Sequence, residues 1–216
     1  MKHEDDYRNV VFLSGMHGSG KDTLKAALVK KYPDMIIPYE KCEMTQFTDV
    51  FERQVRRVAK YVIDYNRIHK LAKENPDKII LADRCLLDAM QYITAFHNLG
   101  KINDAEYALI YQWLTTYIFS TPDVNNTVFL IVHPSFKTVM DHLKKRQSGG
   151  VIKWNETDMQ YNKEIYSVYN KFNDKLFKDP LSVKFTELLS SSDLDENIEV
   201  ASHAILKRYE SLKGNK

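Results

Sequence analysis

The stretch Val10-Val11-Phe12-Leu13-Ser14-Gly15-Met16-His17-Gly18-Ser19-Gly20-Lys21-Asp22-Thr23 decides the fold. It is an apolar run of strand length, a glycine loop, and then the start of a segment with helical spacing, Lys21 to Lys31. This is the G-x-x-x-x-G-K pattern in the strand-loop-helix setting that the pattern requires. Glycines let successive backbone N–H groups curl around a polyphosphate. The helix behind the loop adds its dipole and its unpaired N-terminal donors. Lys21 supplies a mobile cation for the β- and γ-phosphates. Gly15, His17, Gly18, Ser19, Gly20, Lys21, Asp22 and Thr23 are therefore the expected nucleotide-binding residues, with His17 contributing only its backbone. Asp22 stands where a Ser or Thr hydroxyl usually meets Mg²⁺, and Thr23 follows it. Either could serve the metal, the carboxylate directly or through water.

Outward from this loop, strand-length apolar runs recur at Met35 to Ile37, Lys78 to Ala82, Thr127 to Val132 and Ser182 to Phe185. Helical spacing covers Thr45 to Asn75, Leu86 to Leu99, Asp104 to Phe119, Ser135 to Arg146, Glu156 to Phe177 and Asp193 to Leu212. Strands alternating with helices predict an α/β fold. Its parallel sheet of about five strands would carry helices on both faces, giving three layers. With 216 residues and no linker in view, residues 1–216 are expected to form one domain.

Lys78-Ile79-Ile80-Leu81-Ala82-Asp83-Arg84-Cys85 ends an apolar strand in Asp-Arg. In open α/β sheets ligands gather beyond the carboxyl ends of strands. A carboxylate there can hold a Mg²⁺ ion's water, and an arginine beside it can fork onto a phosphate. Asp22, Thr23 and Asp83 are the metal candidates.

With these segments in order, the chain resembles the thymidylate kinase and deoxynucleoside kinase group. Gly15 to Thr23 resembles its loop, and Asp83-Arg84 followed by Tyr92 resembles the stretch lining its acceptor pocket. Val128 to Arg146 resembles its strand and helix leading to a basic lid. Tyr161 to Tyr169 resembles its aromatic helix, and Lys184 to Asn197 its adenine-contacting strand and loop. The chain departs from that pattern at Cys85, Ile93, His142, Lys153 and Tyr166, and in having Glu40-Lys41 where Glu-Pro is usual. The resemblance implies a P-loop kinase fold with a short basic lid near residues 144–155. It also implies ATP and Mg²⁺ as cofactors, and a homodimer as a possible assembly.

Arg53, Arg56, Arg57 and Lys60 recur at helical spacing. The stripe reads either as a solvated face or as the helix that meets an acceptor phosphate. In the resembling group that helix supplies an arginine, with Lys60 nearest in register and Arg57 one turn away. A stripe facing the pocket favours a monophosphate acceptor. Glu40 is a general-base candidate only for an uncharged nucleoside, because a monophosphate is already ionised. Tyr92 is expected to stack on a base or brace the site. Lys144, Arg146 and Lys153 flank Gly149-Gly150, which suits a lid that closes over the donor and excludes water.

Composition sets the outer limits. Lys+Arg 31 against Asp+Glu 29 gives a net charge of +2, so the overall charge does not select a polyanion partner and no nucleic-acid polymer is expected. Two cysteines, Cys42 and Cys85, do not make a disulfide framework. A polar start and short apolar runs predict a cytoplasmic protein without membrane anchorage.

The expected activity is ATP-dependent phosphoryl transfer to a thymidylate-like nucleoside monophosphate or a nucleoside. Lys21, Asp83, Arg84, Arg146 and Lys153 would act on the transferring group. Lys144 would contact the donor. Glu40, Arg57, Lys60, Arg84 and Tyr92 would contact the acceptor. The rivals are a kinase of another small metabolite, a switch or ATPase with no small acceptor, and a nucleotide-binding relative without chemistry.

Overall fold

A computed structural model describes residues 8–41, 49–120, 127–151, 155–178 and 186–214. In chain order the elements are β1 (Val10–Ser14), α1 (Lys21–Lys31), β2 (Ile36–Pro38), α2 (Val50–Glu74), β3 (Ile79–Asp83) and α3 (Leu86–Asn98). They continue with α4 (Asp104–Ser120), β4 (Val128–Val132), α5 (Phe136–Ser148), α6 (Met159–Lys178), β5 (Thr186–Leu189) and α7 (Leu194–Lys213).

The strands form one five-stranded sheet in the order β2-β3-β1-β4-β5, and every neighbouring pair is parallel. β1, β3 and β4 are buried along their whole length, which is why they read as unbroken apolar runs. Alternation assigns their side chains to two cores. Val10, Phe12, Ile80, Ala82 and Phe129 pack with Val58, Tyr65, Ala89, Phe96, Ile165 and Tyr169 from α2, α3 and α6. Val11, Leu13, Ile79, Leu81 and Leu130 pack with Leu24 and Leu28 of α1 and with Ala201 and Ile205 of α7. The sheet is thus sandwiched between two helical layers, as the strand-helix alternation predicts.

Among the boundaries that differ from the sequence reading, three bear on the sheet or the site. The expected strand at Ser182 to Phe185 lies outside the described residues, and β5 occupies the next four positions. There Leu189 is buried in the second core and Thr186 pairs with Phe129. α6 begins at Met159 rather than Glu156, because Asp158 accepts a hydrogen bond from the Tyr161 N–H at 3.1 Å and Glu156 turns to meet Arg146. α2 begins at Val50, capped by Asp49, whose side chain accepts from the Glu52 N–H at 2.7 Å. Residues 45–48 of that expected helix, like Cys42, fall outside the described residues. Among the described residues no helix is long and apolar enough to cross a membrane.

Candidate active site

The carboxyl ends of β1, β3 and β4 meet at one edge of the sheet, and the glycine loop leaves β1 there. Gly15 (φ 143°) passes so close to β4 that a Cβ would sit 2.3 Å from the Val132 carbonyl oxygen. Gly20 (φ 98°) is the N-cap of α1 and offers no side-chain cap, so the helix's first N–H groups face outward for an anion. Lys21 is 5% exposed. Its Nζ donates to the Met16 carbonyl at 2.7 Å and to Ser19 Oγ at 3.2 Å, and among the described residues it pairs with no carboxylate. Burial pushes its pKa down to about 7, aided by the Arg84 charge. The ammonium therefore sits where a polyphosphate would supply the missing counter-charge.

β3 ends at Asp83, 8% exposed, followed by Arg84 in the left-handed region at φ 67°. A non-glycine residue held there is sterically costly and is found where the surroundings over-determine it. The Arg84 N–H donates to the Leu13 carbonyl at 2.7 Å, fastening the turn to β1. Asp83 Oδ2 accepts from Lys41, and the buried Oδ1 has no hydrogen-bond partner among the described residues. Burial pushes the Asp83 carboxyl up, but Lys21, Arg84 and Lys41 together outweigh it and hold the pKa near 2. An orphaned, ionised carboxylate oxygen fits a Mg²⁺ ion that keeps most of its waters. Asp22 and Thr23 are exposed and line the same cavity. Among the described residues no group of three His, Cys, Asp or Glu side chains forms a metal cage, so any such ion would lean on the donor phosphates.

Arg84 Nη1 donates to the Tyr92 hydroxyl at 2.9 Å, and the His17 N–H donates to the same oxygen at 3.1 Å. His17 Nδ1 lies 3.1 Å from that hydroxyl, and Nε2 lies 2.7 Å from Asn162 Oδ1. Tyr92 already accepts twice, so its proton goes to Nδ1, and Nε2–H donates to Asn162. The ring stacks on Tyr161 with centroids 5.4 Å apart. Burial lowers the His17 pKa to about 3, so the ring is neutral as this network requires. His17 thus does more than present its backbone. Its side chain ties the glycine loop to α3 and α6.

One cavity of about 910 Å³ runs past the loop. At the β5–α7 side it reaches Ser191, Ser192 and Asn197, and at the β2–α2 side it reaches Lys41, Arg53 and Arg57. Burial and then the Arg57 charge lower the pKa of Arg53, so this end is crowded with positive charge. The Arg57 guanidinium lies 4.8 Å from the Tyr92 ring centre, and that of Arg84 lies 5.1 Å from it.

Most of the expected residues meet here: His17, Gly18, Ser19, Gly20, Lys21, Asp22, Thr23, Arg57, Asp83, Arg84, Tyr92 and Arg146 all line the cavity. Four others do not. Gly15 lies beneath the loop against Val132. Glu40 has an 83% exposed side chain held by Lys25 at 3.1 Å, outside the cavity. Lys60 shares the helix face of Arg53 and Arg57 but is taken up by Asp64 at 2.5 Å, one turn further on, and does not line the cavity. Lys144 is exposed, and the neighbouring Lys145 takes the wall position. Lys153 lies outside the described residues. Arg146 faces the cavity but pairs with the buried Glu156 at 2.5 Å.

The sequence reading placed Arg53 in the basic stripe without choosing it for the acceptor, although its i, i+4 spacing from Arg57 was a usable signal. It did not single out Lys41, Lys145, Glu156 or Asn162, and for Lys41 its position just beyond β2 was a signal. Nothing local marks Glu156 or Asn162.

No family model matches the chain, and no curated protein sequence matches it. Solved structures do. Deoxyadenosine kinase from M. mycoides with dCMP and a flexible dCDP is 18% identical at a TM-score of 0.67, over 92% of this chain and 98% of that one. The same enzyme with bound dATP is again 18% identical at 0.67, over 91% and 99%. Thymidylate kinase from Candida albicans is 15% identical at 0.56, over 93% of both chains. The chain has the fold of these kinases. The all-parallel sheet and the glycine loop at its carboxyl edge are the parts described above, and the likeness extends over nearly the whole chain.

Proposed function

We propose that the chain is an ATP- and Mg²⁺-dependent kinase whose acceptor is a nucleoside monophosphate of thymidylate-like kind. The observation that carries the acceptor class is the cationic end of the cavity. Arg53, Arg57, Arg84 and Lys41 gather there, while Glu40 points to solvent. An uncharged nucleoside would leave those cations poorly matched and would need a base for its hydroxyl. Glu40 is out of reach, and Asp83, with a pKa near 2 and Lys41 upon it, is a poor proton acceptor. A monophosphate is largely ionised at pH 7 and needs no base.

In this reading the glycine-loop amides and Lys21 hold the donor phosphates. Asp83, with Asp22 or Thr23, would hold Mg²⁺, which would supply neutralisation of donor-phosphate charge. Lys41, Arg53 and Arg57 orient the acceptor phosphate. An acceptor oxygen attacks the γ-phosphorus as its bond to the ADP oxygen breaks. Arg84 and Arg146 stabilise the charge spread over the transferring group. Arg146 must first leave Glu156, and donor phosphates would draw it away. Catalysis is positioning plus electrostatics. Residues 1–216 work as one domain, with the end of α5 and the segment after it as the lid.

The likeness to deoxyadenosine kinase keeps a nucleoside acceptor as the second reading. Two variants separate the readings. With a monophosphate acceptor, Lys41→Ala raises the acceptor KM at least tenfold, roughly the effect of truncating one partner of a charge pair, and Glu40→Gln changes nothing. A large kcat loss in Glu40→Gln with an unaffected Lys41→Ala would reverse the assignment.

A further inference from the structure

Asp88 lies in the first turn of α3 and is fully buried. It does not line the cavity. Its Oδ1 accepts from Ser14 Oγ at 3.1 Å, from the Gly15 N–H at 3.0 Å and from the Tyr169 hydroxyl at 2.7 Å. Its Oδ2 accepts from the Cys85 N–H at 2.8 Å and from the Cys85 thiol at 3.5 Å. The two oxygens therefore serve different parts of the molecule. Oδ1 holds the entry of the glycine loop and α6, whereas Oδ2 holds the residue directly after Asp83-Arg84.

We propose that Asp88 is a positioning residue for phosphoryl transfer. Its carboxylate keeps the entry of the donor loop in register with the Asp83-Arg84 strand end. The inference rests on the kinase reading above. Gly15 at φ 143° and Arg84 at φ 67° are both held in uncommon backbone conformations on either side of this carboxylate. Such conformations persist where surrounding contacts over-determine them, and Asp88 supplies contacts to both turns. The Gly15 and Cys85 N–H groups are backbone donors that cannot turn to accept. An amide at position 88 would direct its own NH₂ at one of them in either orientation. A displacement on the scale of 1 Å between donor loop and acceptor arginine is enough to slow transfer by orders of magnitude.

The test is Asp88→Asn in the full chain. Steady-state assays give kcat, and calorimetric titration with Mg-ATP gives both Kd and the number of binding-competent molecules. kcat per competent molecule is expected to fall about tenfold or more, while Kd for Mg-ATP stays within about threefold, because Lys21 and the later loop amides are untouched. An unchanged kcat per competent molecule overturns the proposal and leaves Asp88 a structural anchor. So does a Kd that weakens in step with kcat, which would mean that the loop itself had come apart. Should Asp88→Asn fail to fold, Tyr169→Phe replaces it, since it removes the shortest donor and keeps the charge. A several-fold lower kcat at constant Kd is then expected, and an unchanged kcat overturns the proposal. A wild-type chain that binds Mg-ATP but phosphorylates no acceptor removes the kinase reading and this proposal together. An active wild type with unaffected variants removes this proposal alone.

Discussion

His17 is held neutral in the folded chain because burial lowers its pKa from 6.5 to about 3. An unfolded chain binds a proton there below pH 6.5, and the folded chain does not until about pH 3. Stability therefore falls as pH drops through that window, with the unfolded state taking up the proton. At pH 5 the effect is about 2 kcal/mol. The melting temperature of the wild type should fall more between pH 7.5 and pH 5 than that of His17→Gln. Equal acid sensitivity would mean that the ring is not buried neutral. Lys21 makes the complementary case at the donor site. Lys21→Ala should abolish phosphoryl transfer and leave the fold intact, as read by circular dichroism, and unchanged turnover would refute the donor assignment. The glycine pattern makes Lys21 legible from sequence alone. The side chain of His17 is not, because its partners Tyr92 and Asn162 come from remote segments.

Among the elements, α2 shows how far periodicity reaches. Helical spacing puts Arg53, Arg56, Arg57 and Lys60 near one another, but not which of them faces a ligand. Arg56 instead pairs outward with Glu52 at 2.8 Å and Lys60 with Asp64, so only Arg53 and Arg57 of the four line the cavity. The deciding information is how the helix packs on α3 and the sheet, which its own residues do not carry. Arg57→Ala should raise the acceptor KM about tenfold or more, leaving the KM for ATP near its wild-type value. Lys60→Ala should leave both KM values unchanged, and an acceptor KM that rises for Lys60→Ala but not for Arg57→Ala would contradict the assignment of Arg57 to the acceptor and of Lys60 to Asp64. The β1–α1 loop carries a steric counterpart. Gly15→Ala puts a Cβ 2.3 Å from the Val132 carbonyl oxygen, which is backbone, and 3.0 Å from Ser19 Oγ. It should lower stability by about 1–3 kcal/mol in denaturant titrations, as overpacking does. A neutral result would mean that the loop stands further from β4.

Across the whole molecule, the sheet and its layers were readable because each central strand is a continuous apolar run and each crossover has helical spacing. The strand least marked by composition, β5, lies beyond the expected residues. Its place depends on pairing with β4 rather than on its own pattern. The site was readable where one segment holds its own chemistry, as in the glycine loop and Asp83-Arg84. It was not where contacts join residues far apart in the chain, as in Ser14 and Gly15 to Asp88, or Arg146 to Glu156. The two cores also separate stability from function. Leu28 is fully buried between the sheet and α7, on the face away from α2, α3 and α6. Leu28→Ala should cost about 2–5 kcal/mol of stability while leaving both KM values within experimental error. A changed acceptor KM would couple the two faces of the sheet.

The central claim is an acceptor that arrives already ionised. Its most direct test is coupled ADP release from Mg-ATP against matched nucleosides, nucleoside monophosphates and other small phosphorylated metabolites. Release stimulated by a nucleoside monophosphate, and not by the nucleoside of the same base, is the predicted result. Release stimulated by nucleosides alone, or ATP turnover that no acceptor changes, would contradict it.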